Sequence, residues 1–262
     1  MRKAWQEVDM IYLKSASDIE KMRESGRIVY ETFEVLRTHL KPGITTKELN
    51  KIAYDFILSQ GAKPSFLNYS GYPASICTSV NDVVIHGIPN KKTVLKEGDI
   101  ISLDIGAVKN GFHGDAARTY GVGKISADAQ RLIDVTQQSF YEGLKYAVSG
   151  ERLGSISATV QKYVEENGFS VVRNYCGHGI GRKMHESPEI PNYGTFGHGI
   201  RLAKGMTIAV EPMVNFGRAE TNCMGDGWTV KTADGSLAAH YENTILITDG
   251  KPQLLTNPEW GG

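Results

Sequence analysis

Cysteine is scarce in this chain: Cys77, Cys176 and Cys223 are the three among 262 residues, and no two are spaced C-x-x-C. An odd count without that spacing argues against a disulfide framework and a structural zinc module, and it fits a reducing compartment. Net charge is missing too, since 29 Lys and Arg balance 29 Asp and Glu. No basic excess advertises nucleic-acid or membrane-surface binding. Apolar runs stay well short of the ~18 residues of a membrane span. The opening MRKAWQEVDMIYLKSAS has two basic residues but no apolar region behind them. No secretory signal is therefore expected, and a cytoplasmic protein is. With 40% hydrophobic residues, the chain can bury a sizeable core in one large domain or two small ones.

What is present begins with a hairpin. In SLDIGAVKNGFHGDAARTY (102–120), Asn110-Gly111 is the favoured pair for a type I′ turn, whose central residues both need positive φ. The apolar residues Ile100, Ile101, Leu103, Ile105 and Val108 lead into it. That turn sets Lys109 against Phe112, Gly106 against Asp115 and Asp104 against Ala117. Side chains alternate faces along a strand, so Asp104 and Asp115 share one as diagonal neighbours. Aspartate is depleted in strands, and two bare carboxylates in an apolar setting repel. Either both face solvent or a cation lies between them.

The chain also repeats itself. Residues 34–62 read as helix, turn, helix and glycine stop, with Thr45 and Glu48 as a capping box and Gly61 at C′. Residues 142–169 have the same layout. Leu36 matches Leu144, Leu40 matches Val148, Phe56 matches Tyr163 and Gly61 matches Gly168. Another capping box, Ser17 with Glu20, is expected to open a long amphipathic helix. The strands echo as well: LKEGDIISLD (95–104) parallels LAKGMTIAVE (202–211), which sets Asp104 against Glu211. GDAARTYGV parallels YENTILIT, which sets Asp115 against Glu242. Two halves packed about a pseudo-twofold would gather four carboxylates at one seam. A charge of about −4 in a poorly solvated cleft requires cations, and two divalent ions would balance it. Such a pair can activate a water between them.

Seven histidines are available, and a lone histidine is more often a surface or satisfied core residue than a ligand. His178 and His185 stand out in the glycine-rich YCGHGIGRKMHE, and His86 ends the apolar run DVVIHGIP. His39 reads as a helix-end residue and His198 as part of a glycine-rich loop. His113 shares the aspartates' face near the hairpin tip. His240 would share a strand face with Glu242, and spacing alone does not dismiss it.

VNDVVIHGIP, YCGHGIGRKMHESPEIPNY, GMTIAVEPMVN and DGWTVKTADGSLAAHYENTILIT resemble the signature segments of type I methionine aminopeptidases, and the likeness runs from about Ser15 to Thr256. The resemblance implies an α+β pita-bread fold: a duplicated, curved, mostly antiparallel sheet with helix pairs outside and a dinuclear metal site at the seam. It implies Asp104, Asp115, His178, Glu211 and Glu242 as ligands of two divalent ions (Co, Mn, Fe or Zn). Asp115 and Glu242 would be shared, His178 and Glu211 would complete one ion, and Asp104 the other. His86, His185 and Glu211 would be catalytic, with Glu211 the proton acceptor for a metal-bridging hydroxide. Tyr69, Tyr72, Cys77, Met184 and Trp228 would line the methionine pocket, with Met184 where many members carry phenylalanine.

The implied function is removal of the initiator methionine from nascent proteins whose second residue is small. The form would be the short one without an N-terminal zinc-binding extension. A monomer is expected, with transient ribosome contact, no membrane and no specific nucleic acid. The expected layout is an N-terminal segment 1–14, one catalytic domain 15–256 with halves 15–124 and 125–256, and a tail 257–262. Competing readings are an Xaa-Pro aminopeptidase or prolidase, a non-catalytic homologue binding protein or RNA, and a calcium site, which would rarely recruit histidine.

Overall fold

Asn110 and Gly111 adopt φ of 53° and 77°, the left-handed pair that a type I′ turn demands. The turn fixes the register of its hairpin. In the computed structural model, which describes residues 10–257, strands Ile100–Lys109 and Phe112–Gly121 pair with Asp104 on Ala117, Gly106 on Asp115 and Lys109 on Phe112. This is the expected register, with no bulge. The hairpin's second strand pairs antiparallel with Glu242–Leu246, which pairs with Thr207–Val210. Gly177–Gly179 and Glu186–Ile190 follow on that side. Lys63–Pro64 and Cys77–Val80 flank the first strand, and Gln253–Leu254 completes a nine-stranded sheet. Two three-stranded sheets lie beside it.

Alternation along the strands divides the sheet into two chemistries. Leu103, Ile105 and Ala107 face helices α1 (Ala16–Arg37) and α2 (Thr46–Ser59), and pack on Val29, Phe33, Leu36, Leu49 and Ile57. Ile208, Val210 and Ile245 pack on α3 (Ala127–Leu144) and α4 (Leu153–Glu166) through Phe140, Leu144 and Ile156. The duplication read from the sequence is thus two helix pairs over two strand pairs that meet where Phe112–Gly121 joins Glu242–Leu246.

Helix ends follow local chemistry. Thr45 and Glu48 form the expected capping box, and Gly61 follows α2 at φ 67°. The box of α1 differs from expectation: it is Ser15 with Asp18, not Ser17 with Glu20. Both pairs spell the pattern. The Lys14 main-chain N–H, however, donates to Gly205 O at 2.8 Å, which leaves Ser15 as the last non-helical residue and Ser17 inside the first turn. The segment before residue 15 joins the fold, with Ile11 packed on the second core. Residues 1–9 of the expected N-terminal segment and 258–262 of the tail lie outside the described residues. Among the described residues no helix is long and apolar enough to cross a membrane.

Leu103 is fully enclosed between sheet and helices. Leu103→Ala should therefore cost about 2–5 kcal/mol of unfolding free energy, read as a lower urea midpoint with an unchanged slope.

Candidate metal centre and apolar pocket

The strand registers line up one row across the inner face of the sheet. Cys77 faces Asp104, Asp104 faces Ala117, and Ala117 faces Glu242. Val210 faces Asn243, so the register carried one residue further sets Glu211 against Glu242. Asp115 lies two residues from Ala117 on the same face, and His178 opposes Ala209, two residues from Glu211. Asp104, Asp115, His178, Glu211 and Glu242 are thereby brought together from five strand segments. The small methyl of Ala117 leaves room between the carboxylates on either side of it.

Side chains converge accordingly. His178 Nε2 is 3.8 Å from Asp115 Oδ2 and 3.7 Å from Glu211 Oε1. Ligand atoms of Asp115, His178 and Glu242 fall within 4.8 Å of one another, as do those of Glu211, His240 and Glu242. Asp104 Oδ1, Asp115 Oδ1, Glu242 Oε1 and His240 Nε2 are fully enclosed and lack hydrogen-bond partners. Buried polar atoms are normally satisfied, so this cluster of orphans points to a missing cationic partner. Burial pushes Asp104 up to about 7, with Glu211 adding to the rise and His240 opposing it. Burial alone pushes Glu211 up to about 8. Asp115 and Glu242 are raised well above the usual range, first by burial and then by the neighbouring carboxylates. Protein groups alone do not keep these acids ionised, whereas divalent cations would.

The histidines divide by their partners. His178 Nδ1 lies 2.9 Å from Gly179 O. A carbonyl oxygen only accepts, so Nδ1 carries the proton and Nε2 presents its lone pair to the acids. Burial holds this ring down to about 3, so it stays neutral. His240, left open by spacing, has Nε2 at 3.5 Å from Glu211 Oε2. A strand alternation placing it with Glu242 was the one sequence signal for it. The His185 ring lies beside that of His178, centroids 4.2 Å apart and planes tilted by 52°, and its Nδ1 bonds Tyr69 Oη at 2.8 Å. His86 follows strand Val83–Ile85 at φ 58°, a left-handed conformation uncommon for a side-chain-bearing residue. Burial lowers it to about 4. His113 belongs to the site's wall more closely than a hairpin tip suggests: Nδ1 is 2.8 Å from Ser65 Oγ, and burial lowers it to about 4. His39 caps α1 through Val35 O, and His198 bonds Phe196 O in an exposed loop.

Four of the five expected pocket residues share one apolar cluster. Tyr72, Cys77 and Met184 are buried in it, and Trp228 packs on its edge. Trp228 meets Tyr72 edge-on at 5.1 Å and the His86 ring at 6.2 Å. His86 and Trp228 approach because Val230 pairs with Ile85. Tyr72 Oη donates toward Gly87 O and Ile76 O, which locks its ring. Tyr69, 39% exposed on the 3-10 turn Tyr69–Gly71, stands outside that cluster and contacts His185 instead. Pocket and acids meet at Cys77, paired with Asp104 across the strands.

Comparison with known proteins agrees with this architecture. Residues 20–249 match the model of metallopeptidase family M24. The methionine aminopeptidase of Clostridium acetobutylicum is 55% identical over 247 residues, covering 94% of this chain and 99% of that protein. That of Escherichia coli K12 is 47% identical, covering 94% of each. The crystal structure of methionine aminopeptidase from Thermotoga maritima, 45% identical, superposes with a TM-score of 0.93 over 95% of this chain and all of that one.

A stability test follows from the acids. Asp104 and Glu211 hold protons in the folded state up to about 7 and about 8, above the unfolded value of about 4. The stability this supplies is present at low pH and lost as pH rises through the folded values. The buried histidines act oppositely, their contribution being lost as pH falls below the unfolded value of about 6.5. Above about pH 7 the acids dominate. Calorimetry in chelator should therefore show Tm falling from about pH 7 to 8.5, and added Mn²⁺ should remove most of that slope. A flat Tm in chelator over this window would contradict the picture of uncompensated buried acids.

Proposed function

Because the chain belongs to metallopeptidase family M24 and, within it, to the methionine aminopeptidases, we propose how its residues remove the initiator methionine of a nascent protein. The observation that carries the reading is the row of buried carboxylates with orphaned oxygens, bordered by a cluster of apolar side chains. Asp104, Asp115, His178, Glu211 and Glu242 would hold two divalent ions. Glu242 belongs to both close ligand groups and suits a shared position. One imidazole and four carboxylates make an oxygen-rich set that fits Mn²⁺, Fe²⁺, Co²⁺ or Zn²⁺. When bound, such ions supply Lewis-acid stabilisation of developing negative charge and lower the pKa of water.

The protein's own groups do the rest. Glu211, kept ionised when the site is loaded, would accept the proton of the attacking water and return it to the leaving amine. Partial desolvation lowers His185 and favours its neutral form. In the tautomer whose Nδ1 accepts from the Tyr69 hydroxyl, Nε2–H would stabilise the carbonyl oxygen as charge develops. His86, also neutral, is aimed by its left-handed backbone and by Trp228, and would hydrogen-bond the scissile amide. The acidic row takes the substrate's free α-amino group, which restricts cutting to the first residue.

Tyr72, Cys77, Met184 and Trp228 would measure the methionine side chain, and Tyr69 would narrow the entrance. Small second residues are expected to pass best. Residues 15–256 would act as one catalytic domain, cytoplasmic and monomeric, meeting nascent chains near the ribosome. The Xaa-Pro alternative lacks support at this level of identity to methionine-specific relatives.

Cleavage of Met-Ala, Met-Gly and Met-Ser peptides, with Met-Lys and Leu-Ala far slower, tests the reading, and chelator should abolish turnover. Equal turnover of Leu-Ala and Met-Ala would exclude the pocket assignment, given the about 1–3 kcal/mol available from apolar discrimination.

A second test separates metal-holding from proton-moving residues. Glu211→Gln should weaken metal binding and nearly abolish turnover. His86→Ala should keep metal content while kcat falls about 10²–10⁴-fold and KM changes little. Loss of a metal ion in His86→Ala, by elemental analysis, would move His86 into the ligand set.

A further inference from the structure

The turn between strands Gly177–Gly179 and Glu186–Ile190 carries both Met184 and His185, yet little sheet pairing secures it. Its main-chain ties are Ile180 N–H to Thr207 O, Gly181 N–H to Lys183 O and His113 N–H to Gly181 O. Beyond Gly181, side chains tie the turn: His185 to Tyr69, Arg182 to Asp18, and Glu186 back to the turn's own main chain. Glu186 Oε1 accepts from Lys183 N–H at 3.1 Å, which brackets Met184 and His185 between donor and acceptor. The other oxygen, Oε2, accepts from Lys14 Nζ at 2.6 Å.

Lys14 comes from the segment ahead of α1. Its ammonium also donates to Tyr12 O at 3.0 Å, and its main-chain N–H to Gly205 O at 2.8 Å. The Lys14 and Glu186 side chains are only 6% and 7% exposed, unlike most ion pairs of this protein. Gly181 makes room for the pair: a Cβ there would meet Lys14 Cε at 2.5 Å and Glu186 Oε1 at 2.8 Å. Nearby, Arg182 pairs with Asp18 of α1 at 3.3 Å and covers the Phe112 ring.

We propose that Lys14 is a positioning residue: through the enclosed Lys14–Glu186 ion pair, the segment ahead of α1 holds the turn that sets Met184 in the apolar pocket and His185 beside the acids. A buried, charge-assisted pair fixes geometry in a way that a solvated one does not. The inference rests on the roles read above for His185 and Met184. Among the described residues, the Lys14 ammonium bonds Tyr12 O and Glu186 and none of the acids of the row. Its effect is on orientation, where a displacement of about 1 Å can cost about 10²-fold in rate.

The test uses full-length, Mn²⁺-loaded protein with Met-Ala-Ser and Leu-Ala-Ser as substrates. Lys14→Met and Glu186→Gln should each lower kcat on Met-Ala-Ser about 10- to 100-fold, lower the Met-to-Leu ratio of kcat/KM, and leave metal content unchanged. A change that only reduced the folded fraction would scale both substrates alike and leave that ratio untouched. Lys14→Arg should restore most of both. A single replacement strands a buried charge and could unfold the chain, so the double variant Lys14→Met, Glu186→Gln, which strands none, decides. Folded, it should still show the lowered kcat and Met-to-Leu ratio, since neither side chain can then form the ion pair. Wild-type kcat and ratio in the double variant would overturn the proposal. His185→Ala runs in parallel. Wild-type turnover there would overturn the reading of His185 itself, whereas an impaired His185→Ala beside an unimpaired double variant would overturn the positioning role alone.

Discussion

Burial of several carboxylates in one enclosed row of a sheet, where they lose water first and repel one another second, is the constraint on which the rest of this structure depends. Cys77, Asp104, Ala117 and Glu242 follow one another across the strands, with Glu211 and Asp115 beside them. Water cannot solvate these acids well, and their folded-state pKa values rise. Such a row is tolerable when protonated or neutralised by cations. The same enclosure that makes it costly makes it useful, because charges interact far more strongly out of water.

Everything outside the row holds that geometry. The sheet can carry acids on its inner face because its outer face is covered by two helix pairs, each closing an apolar core. One-residue alternation puts Leu103 and Ile105 into the first core and Asp104 into the site, so a slip of one residue would exchange them. The left-handed Asn110-Gly111 turn guards against that slip in the first hairpin. Duplication then supplies a second strand pair whose acids complete the set.

The turn bearing Met184 and His185, the left-handed His86 and the loop bearing Trp228 lie outside the strands that carry the acids. They are secured by side-chain contacts in place of ladder bonds: Tyr69 on His185, Trp228 on His86, and Glu186 on Lys183 and Lys14. Strands carry the acids, and turns carry the aromatic and imidazole side chains beside them.

Much of this was written in local patterns. The turn dipeptide set the hairpin register, period-two alternation put Asp104 and Asp115 on one face, and the repeat aligned Glu211 and Glu242 with them. Familiar motif segments named His178, His86, His185 and the pocket. These features are legible because turn chemistry and strand alternation act over a few residues. What only the tertiary structure decided depends on contacts between distant segments. The helix starts at Ser15 and not Ser17 because Lys14 is tied to Gly205. His240 reaches Glu211 because its strand pairs with Met213, two residues on, and His113 reaches Ser65 because Lys63–Pro64 and Phe112–Gly121 both border Ile100–Lys109. Lys14 meets Glu186 across 172 positions, and no periodicity in either segment records that meeting. Local physics chose the strands, the turn and the acids, and packing between remote segments chose which side chains hold the site in place.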